Sequence, residues 1–186
     1  MTMKKRIFII ATAIILMLVL VSCSVPTQTH DAGEVSLELP IHYLSMDEII
    51  TGNATVQELL AEYVPEDVSI DAHFYASALD MTMIAVSSVA MEGEKMEGSV
   101  EEFVEEICKG MGGDAEVVEM GGTFGAKYTL DAVFGAEQIP EALQGLTVVS
   151  LYYYGDDGFT VVNVICSEDK YAEGNVHSIA DCIVAK

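Results

Sequence analysis

The run LTVVSLYYYGDDGFTVVNVICS, Leu146 to Ser167, decides how this chain folds. Two apolar stretches rich in β-branched and aromatic residues, Leu146 to Tyr154 and Phe159 to Ser167, flank Gly155-Asp156-Asp157-Gly158. A Gly/Asp cluster between two such runs predicts a β-hairpin. In the second run Val162, Val164 and Cys166 point one way, and Val161 and Ile165 the other. Both faces are apolar, so the hairpin belongs to a sheet covered on both sides. Tyr152-Tyr153-Tyr154 offers an aromatic binding surface, but alternation turns at least one ring inward. Core packing with one or two surface tyrosines is the simpler reading.

Outward from this hairpin the pattern switches between strand and helix periods. A closing helix is predicted from about 171 to 184, with Val176, Ile179, Ala180 and Ile183 on its apolar stripe. Upstream, Ala115 to Met120 and Phe124 to Asp131 read as strands joined by Gly121-Gly122, and residues 133–145 as an irregular excursion around Pro140. Ser99 and Glu102 have capping-box spacing. Val100, Phe103, Val104, Ile107, Cys108 and Met111 then recur at helical spacing until Gly112-Gly113. Residues 68–79 and 81–91 are predicted strands, the first with a helix as the alternative, followed by a polar loop, Met91 to Gly98. Short helices are predicted at about 46–51 and 56–64, behind the capping pairs Ser45/Glu48 and Thr55/Glu58. Val35-Ser36-Leu37-Glu38-Leu39 alternates cleanly up to Pro40 and predicts a half-buried strand.

The N-terminus reads as an address. Lys4, Lys5 and Arg6 precede an apolar run from Ile7 to Val21 that only Thr12 interrupts. That run is short for a spanning helix and suits a secretory signal. Leu20-Val21-Ser22-Cys23 resembles a bacterial lipobox. The resemblance implies cleavage before Cys23 and transfer of a diacylglyceryl group to its sulfur. Cys23 is thus the lipid-attachment residue, and two acyl chains suffice for stable anchoring. This divides the chain into a signal peptide over 1–22, a lipidated N-terminus and tether over 23–33, and one domain over 34–186. The expected location is the cell membrane, on its extracytoplasmic face.

Composition narrows the partners. The chain carries 8 basic and 30 acidic residues, a net charge of −22. Loss of Lys4, Lys5 and Arg6 leaves five lysines against 30 acids, or −25. Such a charge repels phosphate backbones, so nucleic acid is excluded as a partner. It is also repelled by anionic headgroups, so the acyl chains must hold the membrane. Of the remaining cysteines, Cys108, Cys166 and Cys182, one disulfide with a free thiol or three buried thiols both fit; their apolar settings favour buried thiols.

His30, His42, His73 and His177 are isolated in sequence, and neither HExxH nor paired CxxC motifs occur. Ser167-Glu168-Asp169-Lys170 matches SxxK without the other motifs of that enzyme class, and reads as a strand-to-helix loop. Gly121 to Lys127 lacks phosphate-loop spacing and leads into a strand. Cys166 and His177 are a conceivable thiol–imidazole pair. No cofactor and no metal ligand set is expected.

Three stretches together resemble the PsbP-like (Mog/DcrB-like) superfamily: VSLELPIHY, SVEEFVEEI and GFTVVNVICSEDKYAEGNVHSIADCIV. Tyr43 stands where that family often has Trp, and residues 133–145 read as an insertion. The resemblance implies a non-catalytic binding or assembly domain, and it transfers no functional residue. The element order makes the fold class α+β, an α/β/α sandwich whose mainly antiparallel sheet has helices on both faces. The functional expectation is a membrane-anchored lipoprotein that binds an envelope protein or small ligand. Two other classes stay open: a cell-envelope hydrolase or thiol enzyme with a cleft, and an acidic, weakly calcium-responsive module.

Overall fold

A computed structural model describes residues 27–48, 70–90, 98–111, 114–134, 137, 141–155 and 158–186. Cys23, the predicted helix at 56–64, half of that at 46–51 and nearly all of the Met91–Gly98 loop lie outside these residues. The strands are β1 (Thr27–Ala32), β2 (Val35–Pro40), β3 (Leu44–Ser45), β4 (Ile70–Ser77), β5 (Thr82–Ala90), β6 (Ala115–Met120), β7 (Thr123–Thr129), β8 (Thr147–Tyr154), β9 (Gly158–Cys166) and β10 (Ile183–Ala185). The helices are α1 (Val100–Gly110), α2 (Leu130–Phe134), α3 (Glu168–Ala172) and α4 (Asn175–Ala180), with a single 3-10 turn at Glu141–Leu143. The class is α+β with antiparallel pairing in every described ladder.

The predicted hairpin is the spine of a seven-stranded sheet ordered β3-β4-β5-β9-β8-β7-β6. Tyr154 pairs with Phe159 and Thr147 with Cys166, so the register matches the turn over 155–158. Val162, Val164 and Cys166 are fully buried on one face, with Val149, Leu151 and Tyr153 of β8 beside them. The opposite face of β7 and β8 receives α1. Val104 and Cys108 bury there against Ala126, with Phe103, Ile107, Phe124, Tyr128 and Tyr152 around them. Helix α1 starts where the sequence places it. Ser99 Oγ accepts from Glu102 N at 3.2 Å, and Glu102 Oε2 accepts from Ser99 N at 3.1 Å.

The other face is built differently from a helix-only layer. A three-stranded sheet, β1-β2-β10, lies there together with α4. Two corrections follow. Thr27–Ala32, expected within the tether over 24–33, forms a strand paired along its whole length with β2. TQTHDA reads as a tether because an edge strand keeps one face wet; Ala32, its apolar end, is buried. The predicted closing helix over 171–184 is also interrupted. Ser167 caps α3, Gly174 at φ +88° starts α4, and a bond from Cys182 N to Ile179 O closes it. Ile183 then enters β10 opposite Leu37. Val176, Ile179, Ala180 and Ile183 are all buried as the stripe requires, but Ile183 arrives on a strand. Similarly, β7 ends at Thr129, and Leu130 begins the short helix α2.

Gly33 makes the β1–β2 turn at φ +51° under the large sheet. A Cβ there would run into the side chains of Ser88 and Thr160. Those two hydroxyls bond each other at 3.0 Å, and Thr160 Oγ1 also accepts from Glu34 N at 2.9 Å. Gly122, at φ +72°, faces open space. Gly33→Ala should therefore cost about 3 kcal/mol in urea unfolding, and Gly122→Ala about 1 kcal/mol for backbone strain alone. Equal losses at the two sites would contradict the packing of this turn.

Candidate functional site

The hairpin β6–β7 turns at Gly121-Gly122 and sets Glu116 opposite Lys127. Lys127 Nζ lies 3.2 Å from Glu116 Oε1 and 3.2 Å from Glu168 Oε1, and 4.0 Å above the ring of Tyr171. Glu168 sits in the first turn of α3, where Thr147 Oγ1 donates to its Oε2 at 2.5 Å. Glu116, Lys127, Thr147 and Glu168, with Asp114, Tyr128 and Thr129, line a cleft of about 240 Å³. Burial lowers the Lys127 pKa, but Glu168 and Glu116 outweigh it and hold the ammonium above its ordinary value. The Thr147 hydroxyl, then Lys127, hold the Glu168 carboxyl below its usual range. A lysine base or Schiff-base nucleophile needs the opposite shift. The arrangement suits charge recognition or structural pairing rather than proton transfer.

A second cleft of about 240 Å³ lies between Pro40, Tyr43, Asp80, Ser178, Ile179 and Cys182. Asp80 bonds His42 Nε2 at 2.7 Å and also accepts from the Tyr43 hydroxyl. Burial first, then Asp80, raises the Tyr43 pKa, so that hydroxyl stays protonated and donates. The Cys182 thiol donates to Ser178 O at 3.2 Å, and burial, with Asp181 and Glu38 nearby, raises its pKa. Nucleophilic thiols are activated by the reverse shift.

The residues singled out from the sequence resolve as follows. Cys166 is fully buried beneath the small sheet, and burial raises its thiol pKa. His177 is exposed on α4 with its ring 6.3 Å from that of Tyr171, and nothing joins it to Cys166. Cys108, Cys166 and Cys182 are all free thiols; Cys182 is only partly buried, unlike the other two. Tyr153 is buried, with its pKa pushed up to about 12 by burial. Tyr152 and Tyr154 pack edge-on to Phe103 at 5.5 and 5.6 Å, so the triplet belongs to two cores. Ser167 is a helix cap, its Oγ accepting from Lys170 N at 3.4 Å, and Lys170 Nζ turns to Glu173 at 2.6 Å. Among the described residues no group of His, Cys, Asp and Glu is arranged to hold a metal ion. Asp156-Asp157 lies outside them.

One imidazole outside both clefts is tied to two carboxylates. His73 Nδ1 is 3.0 Å from Asp47 Oδ2, and its Nε2 3.4 Å from Asp71 Oδ2. Asp47 Oδ1 also accepts from Phe74 N at 2.6 Å. The Asp47 bond, opposed by burial, holds the His73 pKa above 6.5. Burial raises Asp47, but His73 and the Phe74 amide outweigh it and hold the carboxyl below 3.8.

The Glu116–Lys127 pair escaped the sequence reading although the Gly121-Gly122 turn implies it: counting outward from Met120 and Thr123 brings the two into register. Glu168 carried no comparable signal, because its approach depends on β8 lying beside β7.

No family model matches the chain, and no curated protein matches it. Among solved structures it is similar to the solution structure of cyanobacterial PsbP (CyanoP) from Synechocystis sp. PCC 6803. That likeness covers 88% of this chain and 94% of that chain, at 9% identity and a TM-score of 0.48.

Two outcomes follow. A thiol reagent should modify Cys182 under native conditions and reach Cys166 only on unfolding; fast native labelling of Cys166 would contradict its burial. The raised His73 pKa adds stability below its unfolded value that is lost as pH rises through the folded one. Asp47 adds stability above its unfolded value that is lost as pH falls through the folded one. His73→Ala should therefore cost about 0.5–1 kcal/mol near pH 5.5, shrinking above about pH 7.5, measured by denaturant unfolding. A loss that grows with pH would refute the pairing.

Proposed function

We propose that this chain is an extracytoplasmic lipoprotein, held to the membrane by diacylglycerol on Cys23, with a non-catalytic PsbP-like binding or assembly domain. The observation that carries the reading is the position of Cys23. It closes the apolar run Ile7 to Val21 behind three basic residues, in Leu20-Val21-Ser22-Cys23, and the first strand begins only four residues later at Thr27. A spanning helix continuing past Val21 would meet Pro26 and the fully paired strand β1 almost at once. No helix among the described residues is long and apolar enough to cross a membrane.

The non-catalytic part of the reading is supported by where the reactive groups lie. The thiol of Cys166 is enclosed and raised, His177 is apart from it, and Lys127 is held cationic between two carboxylates. These are binding and packing settings. The partner is an envelope protein or a small ligand, and the acidic surface keeps nucleic acid away.

The test is fractionation of expressing bacterial cells. Wild type should sediment with membranes and carry diacylglycerol by mass spectrometry, and Cys23→Ala should be released or retained only as unprocessed precursor. A processed Cys23→Ala protein that stays in the membrane would overturn lipid anchoring. Crosslinking in intact cells with the two proteins compared would then identify the partner that depends on anchoring.

A further inference from the structure

Four of the eight exposed large apolar side chains of the described residues gather at one end of the domain. Leu79 is 76% exposed, Met81 65%, Leu44 64% and Ile41 52%. Leu44 pairs with Ala76, at the end of β4 that leads into the turn carrying Leu79 and Met81. His42, next to Ile41, is bonded to Asp80, between Leu79 and Met81. Ile41, Leu79 and Met81 therefore sit on two adjoining turns, with Leu44 on the short strand β3 beside them. Beside them Ala76, Ala78, Met81, Met83, Leu146 and Ile165 line an almost wholly apolar hollow of about 320 Å³.

The corner is held rigidly. Asp80 accepts from His42 Nε2 at 2.7 Å and from Ser77 Oγ at 3.4 Å, and its own N–H donates to Ser77 Oγ at 3.1 Å. Thr82 Oγ1 donates to Asp80 O at 3.0 Å. Met81 occupies the left-handed region at φ +48°, the one described non-glycine residue to do so. Gly or Asn would relieve that strain. A methionine keeps an apolar side chain in solvent at a strained position, which folding alone does not require.

The same end holds the start of β1. Thr27 pairs with Pro40, next to Ile41, and Gln28 Nε2 donates to Tyr43 O at 3.0 Å. Cys23 lies four residues before Thr27, so its Cα cannot be more than about 14 Å away. A lipid-anchored Cys23 therefore brings this end of the domain down onto the bilayer. Charge acts in the same sense. The corner pairs Asp80 with His42, and Lys170, itself bonded to Glu173, lies near that carboxylate, whereas the chain as a whole is at −22. Anionic headgroups repel the acidic faces and leave this corner the one best tolerated at the surface.

We infer that Ile41, Leu44, Leu79 and Met81 form a lipid-contact corner that seats the domain in the interfacial layer of its own membrane. The inference rests on the anchoring of Cys23. Lipid is the occupant because the tether is too short to carry this end away from the bilayer. Apolar side chains presented from turns enter that layer as the apolar face of an interfacial helix does.

The chain has no tryptophan, so a single introduced one reports its own surroundings. Leu79→Trp and, separately, Leu44→Trp would be placed in the full acylated protein in phosphatidylcholine vesicles carrying acyl-brominated lipid. Val184→Trp is the control: Val184 is 51% exposed but pairs with Ser36, at the far end of β2 from Pro40. Both corner tryptophans should be blue-shifted on vesicles and quenched at least about twofold more than Val184→Trp, as for side chains within the interfacial layer. Equal or absent quenching in protein that still sediments with the vesicles overturns the corner and leaves the anchor intact. Sedimentation of the same variants carrying Cys23→Ala reads the anchor separately; failure of the acylated protein to sediment overturns both. A blue shift that appears without vesicles and grows with protein concentration assigns the corner to a second copy, and overturns lipid contact.

Discussion

Val35, Leu37 and Leu39 are buried completely, and the two ends of the chain depend on them. They form the inner face of β2, laid against Val162, Val164 and their neighbours on the large sheet. Each such side chain contributes about 2 kcal/mol by leaving water. Their burial also fixes the edges of β2. One edge is taken by β1, which brings the N-terminus to the domain, and the other by β10, which ends the chain. Ser36 and Glu38, at the alternate positions, stay outward, so a one-residue slip would put charge into the core.

That layer explains the character of the two faces. The side under β2 is closed by strands and a short helix, and it encloses Cys166 and Tyr153. The side under α1 is closed by an amphipathic helix against aromatic rings, with Phe103 between Tyr152 and Tyr154. Reactive side chains that the sequence places in the chain's centre are thereby packed away. Accessible chemistry is left to the margins: the Lys127 triad at one edge, the His42–Asp80 corner near the other. At both margins the charged groups are paired within the domain, His42 with Asp80 and Lys127 with Glu116 and Glu168.

The strands β5 to β9 and helix α1 were legible because their periods are unambiguous, whereas the stretch that forms β4 also admitted a helix. Alternating Val162, Val164 and Cys166, and the stripe from Val100 to Cys108, admit one reading each. The C-terminal stretch was legible only in part. Val176, Ile179, Ala180 and Ile183 satisfy a helical stripe, yet Ile183 pairs with Leu37 because β2 has an open edge within reach. β1 was misread for the converse reason: an edge strand that covers little apolar surface has the composition of a tether. The Lys127 cluster joins β6, β7, β8 and α3, and only the Glu116–Lys127 part follows from a local turn.

Taken alone, the amino-acid sequence determined the local periods, the acidic charge and the identity of the buried strand faces. These follow from residues near one another in the chain, where spacing and propensity act directly. The tertiary structure decided which strands share an edge, which layer covers the second face, and which apolar turns meet beside the start of β1. Those outcomes depend on residues far apart in the chain competing for the same buried surface, and no local pattern encodes the winner.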